Sequence, residues 1–300
     1  MVVVYGTVCR DRLHKVSRLP DPGGYVEIEE ETESVGGEAV NTALALLKWG
    51  AEIRFGGNSP GSASLMSMLD ARGLDTVYLS NDVHLEPVCD IYVTPDGQRT
   101  MFGRGFREMG QWGNLKTIPL SPGEWFTLDA NHGREGDEAV NMAKSKGLRT
   151  YLQDFVEEGQ PVGDFFQSST DWVGCCGEVH TNVAWLISWL DRRGGYGILS
   201  DGANGFVAGG KDQFGNDHPV KHFQSFPCPR SVDSTGAGDV FRAGMLLGLS
   251  GNWPLADCLR FASAAGSLNC MGFGANANIP AASEVHELIS RWPEVSSTYE

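Results

Sequence analysis

The sequence predicts an α/β protein built on a mostly parallel central sheet. Three observations predict it. Short β-branched runs without polar alternation, such as residues 2–5, read as strands buried on both faces. Segments of helical composition alternate with them, at 39–48, 135–146 and 181–192. One hairpin signal, the turn Thr94-Pro95-Asp96-Gly97 between 88–93 and 99–102, interrupts that rhythm and predicts a small β-flap beside the sheet. No repeat or low-complexity linker divides the chain, so residues 1–300 are expected to form one domain, with the flap drawn from about 10–35 and 85–106.

The first strand ends at Gly6, and Thr7-Val8-Cys9-Arg10-Asp11 leaves the end where ligands collect in open α/β sheets. Asp11 is therefore a candidate contact, although a solvated turn is the default for a lone aspartate. Residues 24–34 interleave Tyr25, Val26 and Ile28 with glutamates, as in a solvent-facing strand. Gly36 and Gly37 then open a helix that Gly50 stops. Paired glycines let a backbone approach a ligand closely, or serve only as a tight turn; Asn41, on the first helical turn, carries an amide that both donates and accepts. Strands are expected at 53–55, 125–128, 149–152, 172–174 and 197–199, and a further helix at 62–72.

Composition excludes several function classes. A hydrophobic fraction of 41% supports a substantial core, while the apolar runs fall far short of the roughly 20 residues of a membrane span. The start carries no basic segment, so an unexported, cytoplasmic protein is expected. A net charge of -15 with no Lys/Arg cluster argues against nucleic acid or an anionic membrane as partner. Seven scattered cysteines without a CxxC pair read as reduced thiols. His218 and His222 are four apart, but Pro219 between them argues against a helical metal pair and for a loop. Trp185 and Trp189, four apart on a helix, read as core.

The chemistry concentrates in Asp233-Ser234-Thr235-Gly236-Ala237-Gly238-Asp239, directly before the apolar helical stretch 240–249. A small-residue turn entering a helix exposes backbone N–H groups at a positive dipole end, which suits phosphate. A carboxylate at that point repels phosphate but can take a proton from an attacking hydroxyl. Phosphoryl transfer to an alcohol needs both. The chain has no GxxxxGK[ST] loop, and Gly236-Ala237-Gly238 lacks the third glycine of a dinucleotide fingerprint.

With these residues the chain resembles the ribokinase-like (PfkB) sugar and nucleoside kinases over nearly its whole length. The family's DTxGAGD is matched by 233–239, its GG-x-x-x-N by Gly36, Gly37 and Asn41, its substrate-facing Asp by Asp11, and its nucleotide-side segment by 200–205. The resemblance implies a three-layer α/β/α fold with a flap as lid, and ATP with Mg2+ as donor. Asp239 would be the base, the Gly236, Ala237 and Gly238 amides the anion hole, and Asp11, Gly36, Gly37 and Asn41 the sugar contacts. Ser200, Gly202, Gly205 and Ser263 would line the nucleotide side. Glu178 would position Mg2+ through water, and Asp233 with Thr235 could hold K+ or simply order the turn. In many members the flap pairs two subunits into a homodimer.

Several positions depart from the family pattern. The NxxE motif reads Cys175-Cys176-Gly177-Glu178, the amide usual two residues before the substrate Asp is Cys9, Glu38 stands where ribokinases carry Lys, and the loop 56–62 has no acid. Gly272 stands where the cation loop often has Arg. Arg104 and Arg107 could meet ATP but read as solvated. A kinase for a small neutral sugar is the expected function. A nucleoside kinase, with Tyr92, Phe102 or Phe106 as a stacking shelf, and a non-catalytic sugar- or nucleotide-binding relative are the alternatives.

Overall fold

β1 (Val2–Gly6) is buried along its whole length because its side chains serve two cores. Val2 and Val4 enter one cluster; Val3 and Tyr5 enter another on the opposite face. The computed structural model describes residues 1–80, 85–108, 113–131, 133–174 and 177–300. After β1 follow β2 (Cys9–Val16), β3 (Ile28–Gly36), α1 (Glu38–Lys48), β4 (Ile53–Gly57), α2 (Ala63–Ala71) and β5 (Tyr78–Leu79). Then come β6 (Val88–Val93), β7 (Arg99–Arg104), β8 (Trp125–Asp129), α3 (Gly133–Ser145), β9 (Arg149–Gln153), β10 (Phe165–Ser169), α4 (Thr170–Val173) and α5 (Val179–Arg193). The chain continues through β11 (Tyr196–Ser200), β12 (Phe206–Lys211), β13 (Asp217–Phe223), α6 (Ala237–Ser250), α7 (Leu255–Asn269) and α8 (Ala282–Arg291).

Among the described residues, nine strands form the main sheet in the order β13-β12-β11-β10-β9-β8-β1-β4-β5. Only β12 runs against the others. Helices α1, α6, α7 and α8 cover one face with a core that includes Leu46, Leu246, Phe261 and Val285. On the other face α3 packs over β8 and β9 through Ala139, Val140 and Ala143, and α5 packs over β11 and β12 through Leu186. Burial of both faces explains why these strands read as continuous apolar runs.

The strand order reverses at β1, which has β4 on one side and β8 on the other. A crevice therefore opens beyond the strand ends there. Over it stands a second sheet in the order β3-β2-β6-β7. Its tip, the turn after β6, is fastened to the loop before α6: Ser234 donates to the Gly97 carbonyl from N (3.2 Å) and from Oγ (3.1 Å), and the Arg99 guanidinium donates to Ser234 Oγ (3.0 Å).

Two expectations require correction. The strand expected at 172–174 is the helical turn α4, capped by Ser169 Oγ, and the strand lies earlier, at β10. Gln167, Ser168 and Ser169 disguised it, because polar residues at its end face the crevice rather than water. The segment around His218 and His222 is β13, not a loop. Pro219 is tolerated because β13 is the sheet's edge. There His218 Nε2 lies 2.9 Å from Asp212, and His222 Nε2 lies 2.7 Å from the Asn204 carbonyl.

Candidate active site at the strand ends

Each strand bordering the reversal contributes polar groups from its C-terminal end. After β1, Thr7 donates from N (2.8 Å) and Oγ1 (2.7 Å) to the two oxygens of Asp129, the last residue of β8. β9 ends at Gln153, and Asp154 follows it at φ +63°, a left-handed conformation uncommon outside glycine. Ser168 Oγ donates to Asp154 at 2.6 Å, while burial pushes that carboxyl up to about 7.

Asp239 lies in the first turn of α6, directed to this crevice and only 6% exposed. Asn41 Nδ2 donates to its Oδ2 at 2.8 Å, and Gln153 Nε2 to its Oδ1 at 3.3 Å. The buried Arg242, one turn later, sits 3.6 Å from Oδ1 while donating to Thr42 Oγ1 and the Glu38 carbonyl. Burial raises the Asp239 carboxyl, and Arg242, Asn41 and Gln153 oppose that rise in this order. Three donors thus favour a carboxylate where burial favours the acid.

The turn before α6 is shaped by Asp233, whose Oδ1 accepts from Thr235 N and Oγ1 and whose Oδ2 accepts from Gly274 N. Gly236 has φ +76°, and a Cβ there would stand 2.2 Å from the Ala275 carbonyl oxygen, so only glycine enters the helix this way. Ala237 N–H turns back to the Ser234 carbonyl at 3.3 Å. Among the described residues no acceptor faces the N–H groups of Gly236, Gly238 and Asp239, leaving them at the dipole's positive end. Gln167 Nε2 holds the Gly238 carbonyl at 2.9 Å.

Asp11 is the third residue of β2, 4% exposed, with the Cys9 thiol donating to its Oδ1 at 3.3 Å. Burial pushes its carboxyl up to about 7; the thiol opposes this, and the charges of Asp239 and Asp233 add to it. Cys9 thus returns one donor where the expected amide is absent. Gly36 packs on Asp11 so closely that a Cβ would lie 2.0 Å from its carboxyl carbon, and Gly37 takes φ +99° against the Thr7 carbonyl. Glu38 faces the same crevice: Gln153 Nε2 donates to it at 2.7 Å and Asn131 Nδ2 at 3.2 Å, and burial holds its carboxyl well above the usual range.

The remaining candidates lie apart from this cluster. Ser200 ends β11 and donates to the Ser168 carbonyl at 3.2 Å. Gly202 and Gly205 bracket the turn that follows it, where Asp201 accepts from Thr170, Asn182 and Asn204. Ser263, on α7, is buried. Glu178 is an exposed carboxylate at the start of α5, 3.4 Å from His180. Cys175 and Cys176 lie outside the described residues. Arg104 and Arg107 are exposed, and Tyr92 is packed between His14 and Phe102 on the flap.

Sequence reasoning missed Arg242, Gln153, Asp129 and Asp154. Arg242 had a signal, an Arg in an apolar helix three residues after an Asp. The others had none, since strands distant in sequence bring them together.

Comparison with known proteins shows the family and the fold. The description "pfkB family carbohydrate kinase" matches residues 1–106 and 170–282. An uncharacterized sugar kinase of Dictyostelium discoideum is 28% identical, over 96% of this chain and 97% of its own. Among solved structures, the Arabidopsis thaliana ribokinase complexed with ribose and ATP superposes with a TM-score of 0.70 at 19% identity, covering 96% of this chain and 97% of that one. A Burkholderia thailandensis nucleoside kinase in complex with inosine reaches 0.73 at 14% identity, covering 98% and 97%. The fold is ribokinase-like, and the chain belongs to the pfkB family of carbohydrate kinases. It is a phosphotransferase enzyme.

Proposed function

We propose that the protein transfers the γ-phosphoryl group of ATP to a hydroxyl of a small sugar that carries no phosphate of its own. The observation that carries this reading is Asp239, a buried carboxylate adjoining the open N–H groups at the start of α6. The carboxylate accepts the hydroxyl proton as the oxygen attacks phosphorus, and the N–H groups stabilise charge on the transferring group. Asp11 and Gln153 supply acceptors for sugar hydroxyls; Gln153 Oε1 is buried without a partner among the described residues. Arg242 is the one cation bonded to this acidic cluster among the described residues, which favours a hydroxyl-rich acceptor over a phosphorylated one.

ATP would enter from the side of Ser200, Gly202, Gly205 and Ser263. Glu178, an exposed carboxylate, is a hard donor suited to Mg2+ through water, and Mg2+ bound with ATP would neutralise phosphate charge. Among the described residues no three His, Cys, Asp or Glu side chains form a metal cluster. Asp233 and Thr235 already bond each other, and a K+ there would compete with those bonds, so the reading gives it no step. The apolar flap face, with Ile28 and Phe102 exposed, is where a homodimer contact would form.

The test is ADP release from Mg-ATP with D-ribose, D-fructose and inosine as acceptors, and mass analysis of the product. Phosphorylation of a sugar is expected. Turnover on inosine alone would transfer the reading to nucleosides, and silence on all three with ATP binding retained would contradict it.

A further inference from the structure

A continuous chain of hydrogen bonds runs from Arg72 at the surface to Asp239. Arg72, which caps the C-terminus of α2, donates from one guanidinium nitrogen to Asn276 Oδ1 at 2.8 Å and from another to the Asn276 carbonyl at 3.2 Å. Asn276 Nδ2 donates to Asn41 Oδ1 at 2.7 Å and to the Val35 carbonyl at 2.9 Å. Asn41 Nδ2 donates to Asp239 Oδ2 at 2.8 Å. Asn276 and Asn41 are 3% and 4% exposed, so water has no place in these bonds.

The direction of this chain is fixed by its ends. A guanidinium can only donate and a backbone carbonyl can only accept, so Asn276 must present its oxygen to Arg72 and its nitrogen to Val35 and Asn41. Asn41 must then turn its oxygen to Asn276 and its nitrogen to Asp239. Without that constraint the Asn41 amide is free to rotate by half a turn and set its oxygen against the carboxylate. We infer that Asn276 and Arg72 are positioning residues, holding the Asn41 amide so that it donates to the base Asp239 and keeps it ionised. The inference rests on the reading of Asp239 as the base, and it leaves Asn41 committed to the protein on both amide atoms rather than to the sugar alone.

The groups facing Asp239 make the orientation matter. Arg242 approaches from its own helix, Glu38 from α1, Asp11 from β2, Asp129 from β8, and Gln153 with Asp154 from the end of β9. Four of these six are carboxyl groups, so each donor that favours the ionised form counts. The outer end of the chain is accessible separately: Arg72 borders a cavity of about 440 Å3, shared with Lys48 and Ile279, outside the crevice.

The test titrates Asp239 itself, with no acceptor present, by carbon-13 NMR of the full chain labelled at aspartate carboxyl carbons. Asp239→Asn assigns the resonance. Asn276→Leu is expected to raise its midpoint by about one pH unit, and Arg72→Met to raise it by less, both without a change in acceptor KM. Should Asn276→Leu fail to fold, Arg72→Met, at the surface end, carries the test alone. An unmoved midpoint in the folded variants would overturn the inference while leaving Asp239 as base; an Asp239→Asn protein that still phosphorylates sugar would overturn the base reading whatever the midpoint does.

Discussion

Asp239 sits among Asp11, Glu38, Asp129 and Asp154, and at residue scale Arg242 is the positive charge that makes the arrangement tolerable. Its guanidinium is 1% exposed and bonds Thr42 and the Glu38 carbonyl while facing Asp239. Removing one partner of a buried ionic group leaves the others uncompensated, so Arg242→Leu is expected to lower unfolding free energy by about 3–5 kcal/mol, read from urea melts. A loss below about 1 kcal/mol would show that the cluster is held otherwise. Asn41 and Asp239 stood out in the sequence because each sits in a short pattern of glycines and polar residues, whereas Asp11, a lone aspartate after the first strand, stood out only through the family resemblance. Gln153 and Asp154 did not: in Leu152-Gln153-Asp154-Phe155 nothing distinguishes a crevice residue from a turn.

At the scale of elements, the glycine-rich turn before α6 and the flap act on each other. Ser234 is the joint: it belongs to the turn, yet it bonds Gly97 and Arg99 of the flap. A flap held over the crevice excludes water, which would otherwise compete as phosphoryl acceptor. Arg99→Ala is therefore expected to raise acceptor-independent ATP hydrolysis a few-fold, measured as ADP release without sugar, and an unchanged rate would count against a closing role. The hairpin was legible from its Thr-Pro-Asp-Gly turn. β10 was obscured by its polar end, and β13 by Pro219, since each departs from apolar continuity for a positional reason: one meets the crevice, the other the sheet's edge.

The whole molecule carries its acid in two places. Much lies on the exposed part of β3, but the consequential share is buried at the strand ends, where Asp11 and Asp154 are both pushed up to about 7. A carboxyl raised in the folded state binds its proton there more tightly than in the unfolded chain, whose value is about 4. Folded-state stability from these groups is therefore greatest at low pH and is lost as pH rises from about 4 through 7. The ligand-free protein should show a falling Tm between about pH 5 and 8, and Asp11→Asn should flatten that fall. A Tm that rises across this window would contradict the burial argument. Carboxyls held low, such as Asp212 at about 2, contribute fully above pH 5 and leave this slope unaffected.

Removal of the proton from the attacking hydroxyl by Asp239 is tested by comparing single-turnover phosphoryl transfer by wild-type and Asp239→Asn proteins at saturating Mg-ATP and sugar. The rate of Asp239→Asn is expected to be lower by about 10²–10⁴ with sugar affinity nearly unchanged. A variant that transfers phosphate within a few-fold of wild type would contradict that role for Asp239.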